Sequence, residues 1–139
     1  MKGGLPFRIL LVDDDQEDRE IIDAAFMEIG YGTEVKKFAD GQALIKYLEE
    51  IDATLYPSLI VLDNTLTGHE AQDILSDLKK NDRYKSIPVI IYTTAVSPTK
   101  KSQLLERGAY ACIEKGSKME AIIEVAKTLR NFAEENKRN

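Results

Sequence analysis

The sequence predicts a doubly wound α/β domain, in which helices cover both faces of a parallel sheet. Two observations support this fold class. Short apolar runs without alternation recur along the chain, which is typical of strands buried on both faces. A segment with helical spacing of apolar residues follows each predicted strand. Strand then helix, five times in succession, indicates parallel strands joined by right-handed crossovers.

Four of the five predicted strands are continuous apolar runs, and the other is mostly polar. A polar strand suits an edge of the sheet, where one side faces water. In chain order the strands are residues 7–12, the polar 33–38, 59–62, 89–92 and 110–113.

Local signals bound the helices between these strands. Asp15 and Asp40 are the predicted N-caps of the first two helices, and Ser97 followed by Pro98 opens the fourth. Residues 117–120 have the pattern of a capping box for the fifth helix. Two glycines fall at predicted helix ends, where a left-handed residue is favoured: Gly30 and Gly108.

The length of 139 residues is that of one ordinary domain. We therefore expect a single domain over residues 1–139, with a core from about residue 7 to residue 133 and no output domain. The apolar runs are far shorter than a membrane helix, and no signal peptide is recognisable, so we expect a cytoplasmic protein.

Charge and cysteine content limit the classes of ligand. The 24 acidic against 19 basic residues give a net charge of −5, so no overall positive field attracts nucleic acid or an anionic membrane. One cysteine and one histidine leave few soft metal ligands. We therefore expect that any metal is held by oxygen.

Polar side chains follow four of the predicted strands directly. Asp13 and Asp14 follow the first strand, Asp63 the third, Thr94 lies just beyond the fourth and Lys115 just beyond the fifth. Ligands of doubly wound sheets bind at the carboxyl ends of the strands, so these side chains are expected at one edge.

A cluster of carboxylates at that edge repels itself, and a hard divalent cation relieves the repulsion. Oxygen ligands with open positions suit Mg²⁺ that also contacts phosphate oxygens, while Lys115 and Thr94 suit the phosphate opposite the metal. Each residue alone also has a plain structural interpretation: a solvated turn, a helix cap or a surface charge. The ordered combination at four strand ends favours a phosphoryl-transfer site without a general base.

These motifs resemble the receiver domain of bacterial two-component response regulators over nearly the whole chain. The matching segments are residues 9–14, 40–44, 59–63, 87–95 and 108–115. The resemblance implies a flavodoxin-like receiver fold with strand order 2-1-3-4-5. Residues 79–88 further resemble standalone receivers that include partners of bacterial phytochromes.

The resemblance also implies roles for individual residues. Asp63 would be the phosphoacceptor, with Thr94 and Lys115 holding the phosphoryl oxygens. Asp14 would bind Mg²⁺ directly and Asp13 mainly through water, and the backbone carbonyl of Thr65 would complete the protein ligands. The donor would be a histidine kinase or a phosphotransfer protein.

The sequence departs from the family pattern at three places that bear on the site. Thr67 and Ala71 replace the usual proline and glycine of the loop after Asp63. Gly116 replaces the usual cis proline, so the bond that precedes it is either trans or held strained. Where the family has a switching aromatic residue this chain has Cys112, with Tyr110 two residues earlier on the same side of the predicted strand.

We therefore expect a single-domain response regulator that is phosphorylated on Asp63 with Mg²⁺ and signals to an unknown downstream protein. It would catalyse only its own phosphorylation and slow dephosphorylation, as a monomer or a phosphorylation-linked dimer, without nucleic acid or membrane. Gly116 and Cys112 motivate the alternative of a degenerate receiver that binds partners independently of phosphate. A phosphatase with an aspartate nucleophile is disfavoured, because its usual second aspartate is Thr65 here.

Overall fold

The computed structural model describes residues 6–63, 71–94 and 97–136. Within them lie five strands and five α-helices, together with two short 3-10 helices at Gly32–Glu34 and Ala53–Leu55. The strands are β1 Ile9–Val12, β2 Val35–Phe38, β3 Leu59–Asp63, β4 Val89–Thr93 and β5 Ala111–Glu114. The helices are α1 Gln16–Glu28, α2 Gly41–Glu50, α3 Ala71–Lys80, α4 Pro98–Glu106 and α5 Met119–Glu135.

The strands form one parallel sheet in the order β2-β1-β3-β4-β5, which confirms the predicted fold class and topology. Successive residues of a strand face opposite layers. In β1, Leu10 and Val12 therefore pack into a core with α2, α3 and α4, whereas Ile9 and Leu11 pack into a core with α1 and α5. Burial on both faces explains why the central strands are apolar without alternation.

Three predicted N-caps are confirmed. Asp15 accepts hydrogen bonds from the backbone N–H of Glu17 and Asp18, and Asp40 caps α2 in the same way. Ser97 caps α4, with Pro98 as its first residue. The two predicted left-handed glycines are also confirmed: Gly30 has φ of 73° and Gly108 φ of 114°.

Two predictions about individual elements of the fold are wrong. The N-cap of α5 is Lys118, which makes no side-chain cap, and not Ser117 of the expected capping box. Strand β5 was expected to be buried on both faces, but its residues are half-buried or exposed. The physical reason is its place in the sheet, because β5 lies at an edge and pairs only with β4.

The other edge strand, β2, carries two lysines whose side chains are held by neighbours. The Lys36 ammonium lies 5.4 to 5.6 Å from the centres of the Phe7, Phe38 and Tyr47 rings. Lys37 forms an ion pair with Asp23 of α1, with Nζ and Oδ1 2.7 Å apart. A polar edge strand was predicted, and half-buried lysines confirm it.

Among the described residues, no helix is both long and apolar enough to cross a lipid bilayer.

Candidate functional site

Three carboxylates meet at the carboxyl end of the central strands. Asp13 and Asp14 follow β1 directly, and Asp63 is the last residue of β3. One oxygen of each lies within 4.8 Å of the others. The cluster exists because β1 and β3 are neighbours, with Val12 opposite Leu62 in the register. The chain passes from β1 to β2 on one side and then crosses to β3 on the other side of β1, so the cluster lies at the topological switch point.

Burial makes this cluster electrostatically costly. Asp13 is 0% exposed and Asp63 1% exposed. Burial, opposed by the hydrogen bond from the Asp15 backbone N–H and reinforced by the charge of Asp63, raises the pKa of Asp13 to about 6. A positive charge among these carboxylates would offset that cost.

Lys115, the first residue beyond β5, supplies one such charge. Its Nζ lies 3.2 Å from Asp63 Oδ2, 3.3 Å from Asp13 Oδ2 and 3.0 Å from Asp18 Oδ2. Burial lowers the pKa of Lys115, but the hydrogen bond to Asp18 and the charges of Asp63 and Asp13 outweigh it, so the pKa is raised overall. Lys115 therefore stays charged inside the site.

The backbone and an aromatic ring also position Lys115. Its N–H donates to the carbonyl of Thr93 at 2.6 Å, and its Nζ lies 5.2 Å from the centre of the Tyr92 ring. The peptide bond from Lys115 to Gly116 is trans, since no cis bond occurs among the described residues. Glycine is required there by packing, because a Cβ on Gly116 would lie 2.6 Å from that of Ala121.

The remaining predicted site residues lie at the same edge or outside the described residues. Thr94 directly follows β4 at its carboxyl end and is exposed to solvent. Thr65 and Thr67 lie outside the described residues, so the predicted carbonyl ligand and the altered loop stay predictions. Ala71 is the first residue of α3 and is buried.

Three residues near the cluster were not singled out from the sequence. Asp18 lies in the first turn of α1 and reaches Lys115, and Tyr92 lies under the same ammonium group. Arg19 donates from Nη1 to the carbonyl of Asp13 at 2.6 Å. A signal for Asp18 and Arg19 existed, because a helix capped by Asp15 places its first turn beside the end of β1.

The two residues considered for a switching role do not share a face, contrary to the prediction. Cys112 packs against the core on the α2, α3 and α4 side. Tyr110 lies one residue before β5 and is 63% exposed, and its ring packs at a tilt against Phe132 of α5, with ring centres 4.7 Å apart. Because Tyr110 precedes the regular strand, strand alternation does not determine its direction.

The donor set fits a hard divalent cation. All three clustered ligands are carboxylates, Asp14 is only half-buried, and oxygen-only sets with room for water are typical of Mg²⁺ and Mn²⁺ sites. A partly open carboxylate site beside a buried lysine can hold both a cation and the oxygens of a phosphoryl group.

The doubly wound fold, with acidic residues and a lysine at its switch point, places this chain in the class of α/β proteins whose ligand site lies at the carboxyl ends of the strands. Comparison with known families specifies it further, because the profile described as "Response regulator receiver domain" matches residues 9–127. The chain belongs to the response regulator receiver family, and thus to the signalling proteins of two-component systems.

Individual relatives agree with this assignment. The chain is 33% identical over 94 residues to a "Probable methanogenesis regulatory protein FilR2" from Methanothrix harundinacea, covering 66% of this chain and 61% of that protein. It is 30% identical over 93 residues to "Response regulator Rcp1" from Synechocystis, covering 65% of this chain and 63% of Rcp1. The chain thus spans a little over three fifths of the length of these relatives.

Solved structures share the fold. The phosphorylated cyanobacterial phytochrome response regulator RcpA superposes with a TM-score of 0.80 at 23% identity, covering 96% of this chain and 97% of RcpA. The Mn²⁺-bound form of Rcp1 superposes with a TM-score of 0.75 at 23% identity, covering 91% and 94%. The acidic cluster of this chain is consistent with a divalent metal.

Proposed function

We propose that this protein is a response regulator that accepts a phosphoryl group on Asp63 with Mg²⁺ as cofactor. The observation that carries the proposal is the contact of Lys115 Nζ with Asp63 Oδ2 at 3.2 Å, beside carboxylates suited to a cation. The proposed nucleophile, Asp63, thus already lies beside the ammonium group of Lys115, which is proposed to bind the phosphoryl group.

The reaction needs little beyond positioning and charge neutralisation. An oxygen of Asp63 attacks phosphorus in line with the leaving nitrogen of a phosphohistidine, so a P–O bond forms as the P–N bond breaks. The donor histidine leaves with the electron pair of the broken bond. Mg²⁺, when bound, neutralises charge on the transferring phosphoryl oxygens.

The chain's own residues have separate roles in this proposal. Asp14 would hold the cation directly and Asp13 mainly through water, and the carbonyl of Thr65 would be a further ligand. Lys115 binds one phosphoryl oxygen as a point charge, and the Thr94 hydroxyl donates a hydrogen bond to another. The exposure of Thr94 in this structure leaves its hydroxyl accessible to an incoming phosphate.

Receiver domains of response regulators interact with kinases or phosphotransfer proteins, and we propose a histidine kinase or phosphotransfer protein as the donor here. The phosphorylated protein then signals through protein–protein contact with a downstream target. The only catalysis is its own phosphorylation and slow dephosphorylation.

Incubation with Mg²⁺ and acetyl phosphate tests the proposal. We expect an acid-labile adduct with the mass of one phosphoryl group on the wild-type protein and on Asp23→Asn, a control whose carboxylate pairs with Lys37. Asp63→Asn should form none. An undiminished adduct on Asp63→Asn would contradict the assignment of the phosphoacceptor, and no adduct on the wild type would favour the phosphate-independent interaction module.

A further inference from the structure

Lys115 contacts one carboxylate that does not belong to the acidic cluster. Its Nζ lies 3.0 Å from Asp18 Oδ2, a shorter distance than to either Asp13 or Asp63. Asp18 is not among the three residues that can jointly hold a metal ion. Lys115 is therefore held from two directions, by the cluster and by the first turn of α1.

The Asp18 carboxylate starts from a well-defined backbone position. The backbone N–H of Asp18 donates to Asp15 Oδ1 at 3.2 Å, as part of the N-cap of α1. Arg19, the next residue, donates to the carbonyl of Asp13 at 2.6 Å, which ties this turn to the end of β1. The cap and the tie together keep Asp18 beside Lys115.

Lys115 needs such a partner because its side chain is long and the following residue does not stiffen the chain. A lysine side chain has four rotatable bonds, and its ordering costs up to about 2 kcal/mol of conformational entropy. Gly116 provides no ring to restrict the backbone, in contrast to a proline. The Lys115 side chain is nevertheless only 9% exposed, so it is held in place by contacts with its neighbours and not by the backbone that follows it.

The contact between Asp18 and Lys115 is compatible with a bound cation, whereas the contacts of Lys115 with Asp13 and Asp63 compete with one. A cation bound by the acidic cluster would occupy oxygens of Asp13, Asp14 and Asp63 and weaken their hold on Lys115. Asp18 would keep its contact, because its carboxylate is not needed by the cation. Asp18 would then keep the Lys115 ammonium group in a defined position from which it can bind the phosphoryl group.

We propose that Asp18 is a positioning residue that holds Lys115 ready for the phosphoryl group. This inference rests on the proposed phosphorylation of Asp63 and adds a residue of α1 to that site. Asp18 would act through Lys115, because it lies outside the acidic cluster that can hold the cation.

The test compares Asp18→Asn with Glu17→Gln, which removes a carboxylate from the same helical turn; Glu17 is exposed. At saturating Mg²⁺ and acetyl phosphate, Asp18→Asn should be phosphorylated about fivefold to tenfold more slowly than the wild type. Glu17→Gln should keep the wild-type rate, and Asp18→Glu should recover at least part of the loss. Equal rates for Asp18→Asn and Glu17→Gln would overturn the inference.

A second comparison shows whether Asp18 acts through Lys115. In a Lys115→Met background, Asp18→Asn should cause no further loss of rate, because the group that it positions is gone. Independent, multiplicative losses would overturn the positioning role.

A measurement without phosphate separates this inference from the proposed function. Urea unfolding is measured for the wild type, Asp18→Asn, Lys115→Met and the variant with both substitutions. The unfolding midpoint of the double variant should lie above the value expected if the two single losses of stability simply added. Strict additivity would overturn the Asp18–Lys115 contact. A coupled pair in a wild-type protein that forms no adduct would instead contradict the phosphoacceptor proposal alone.

Discussion

Lys115 is the residue on which the site depends, because it neutralises part of a buried negative cluster. Three carboxylates lie within 3.3 Å of its Nζ, and the Tyr92 ring lies beneath it. The face of an aromatic ring attracts a cation, and desolvation strengthens that attraction. Tyr92 is 4% exposed, so the pair is well shielded from water.

We therefore predict that the ring of Tyr92, and not its hydroxyl group, stabilises Lys115. Tyr92→Leu should reduce the free energy of unfolding more than Tyr92→Phe, which retains a ring. In a Lys115→Met background the gap between the two variants should shrink by about 1–2 kcal/mol, because the cation is absent. Urea unfolding of the four variants measures this change, and an unchanged gap would contradict the cation–π contribution.

At the scale of elements, a buried tyrosine joins the loop after α1 to the end of α5. The Tyr31 hydroxyl donates to Glu134 Oε2 at 2.7 Å, and Arg8 lies 3.8 Å from the same oxygen. Burial, the hydrogen bond to Glu134 and the charge of Glu134 raise the pKa of Tyr31 well above its usual value. The interaction therefore requires the neutral phenol.

The raised pKa of Tyr31 predicts a loss of stability at high pH. Below pH 10 the phenol is neutral in both the folded and the unfolded chain, so its contribution is fully present. Above pH 10 the unfolded chain releases this proton more readily than the folded chain, so the free energy of unfolding falls as pH rises. Tyr31→Phe should be less stable by about 1 kcal/mol at pH 8, and its stability should fall less steeply between pH 10 and 11.

Chemical unfolding of both proteins at several pH values measures this difference. Other titrating groups are common to the two proteins and cancel in the comparison. Parallel curves above pH 10 would show that Tyr31 does not titrate as the geometry requires.

The central strands and the helix starts could be predicted because both depend on local sequence patterns. The apolar runs of β1, β3 and β4 are buried on both faces, and Asp15, Asp40 and Ser97 cap helices. Strand β5 is equally apolar but lies at an edge, which is a property of the sheet order and not of its own residues.

The site was predictable to the extent that it follows strand ends. The sequence placed Asp13, Asp14 and Asp63 at one edge of the sheet, and the structure brings them together. The N-cap at Asp15 places Asp18 near the end of β1, but its contact with Lys115 could not be predicted, because that contact spans 97 positions of the chain and depends on the angle at which α1 leaves β1.

At the scale of the whole molecule, the acidic cluster lowers the stability of the metal-free protein. Two carboxylates about 5 Å apart repel each other by roughly 3–4 kcal/mol at an effective dielectric constant of about 20, before screening. Lys115, which lies within 3.3 Å of Asp13 and Asp63, offsets much of this repulsion, but three carboxylates with one ammonium group still leave the cluster with a net negative charge. A divalent cation bound among these carboxylates is therefore expected to stabilise the fold.

We predict that Mg²⁺ stabilises the protein against thermal unfolding at constant ionic strength. A concentration 100 times the dissociation constant should add about 2.7 kcal/mol to the free energy of unfolding. Asp14→Asn should be more stable than the wild type without Mg²⁺, because repulsion is reduced, but should gain less from Mg²⁺. Calorimetry with and without Mg²⁺ measures both effects, and equal gains in the two proteins would contradict a role for Asp14 in metal binding.

The lysines of β2 have a consequence for the behaviour of the protein at high concentration. An unpaired strand edge is a template on which another chain can add, and charged side chains at the edge oppose such growth. Lys36 is held by three aromatic rings and Lys37 by Asp23, so both cations are kept beside an edge strand only four residues long. The same contacts that complete the fold at this edge are therefore expected to oppose the addition of a further strand there.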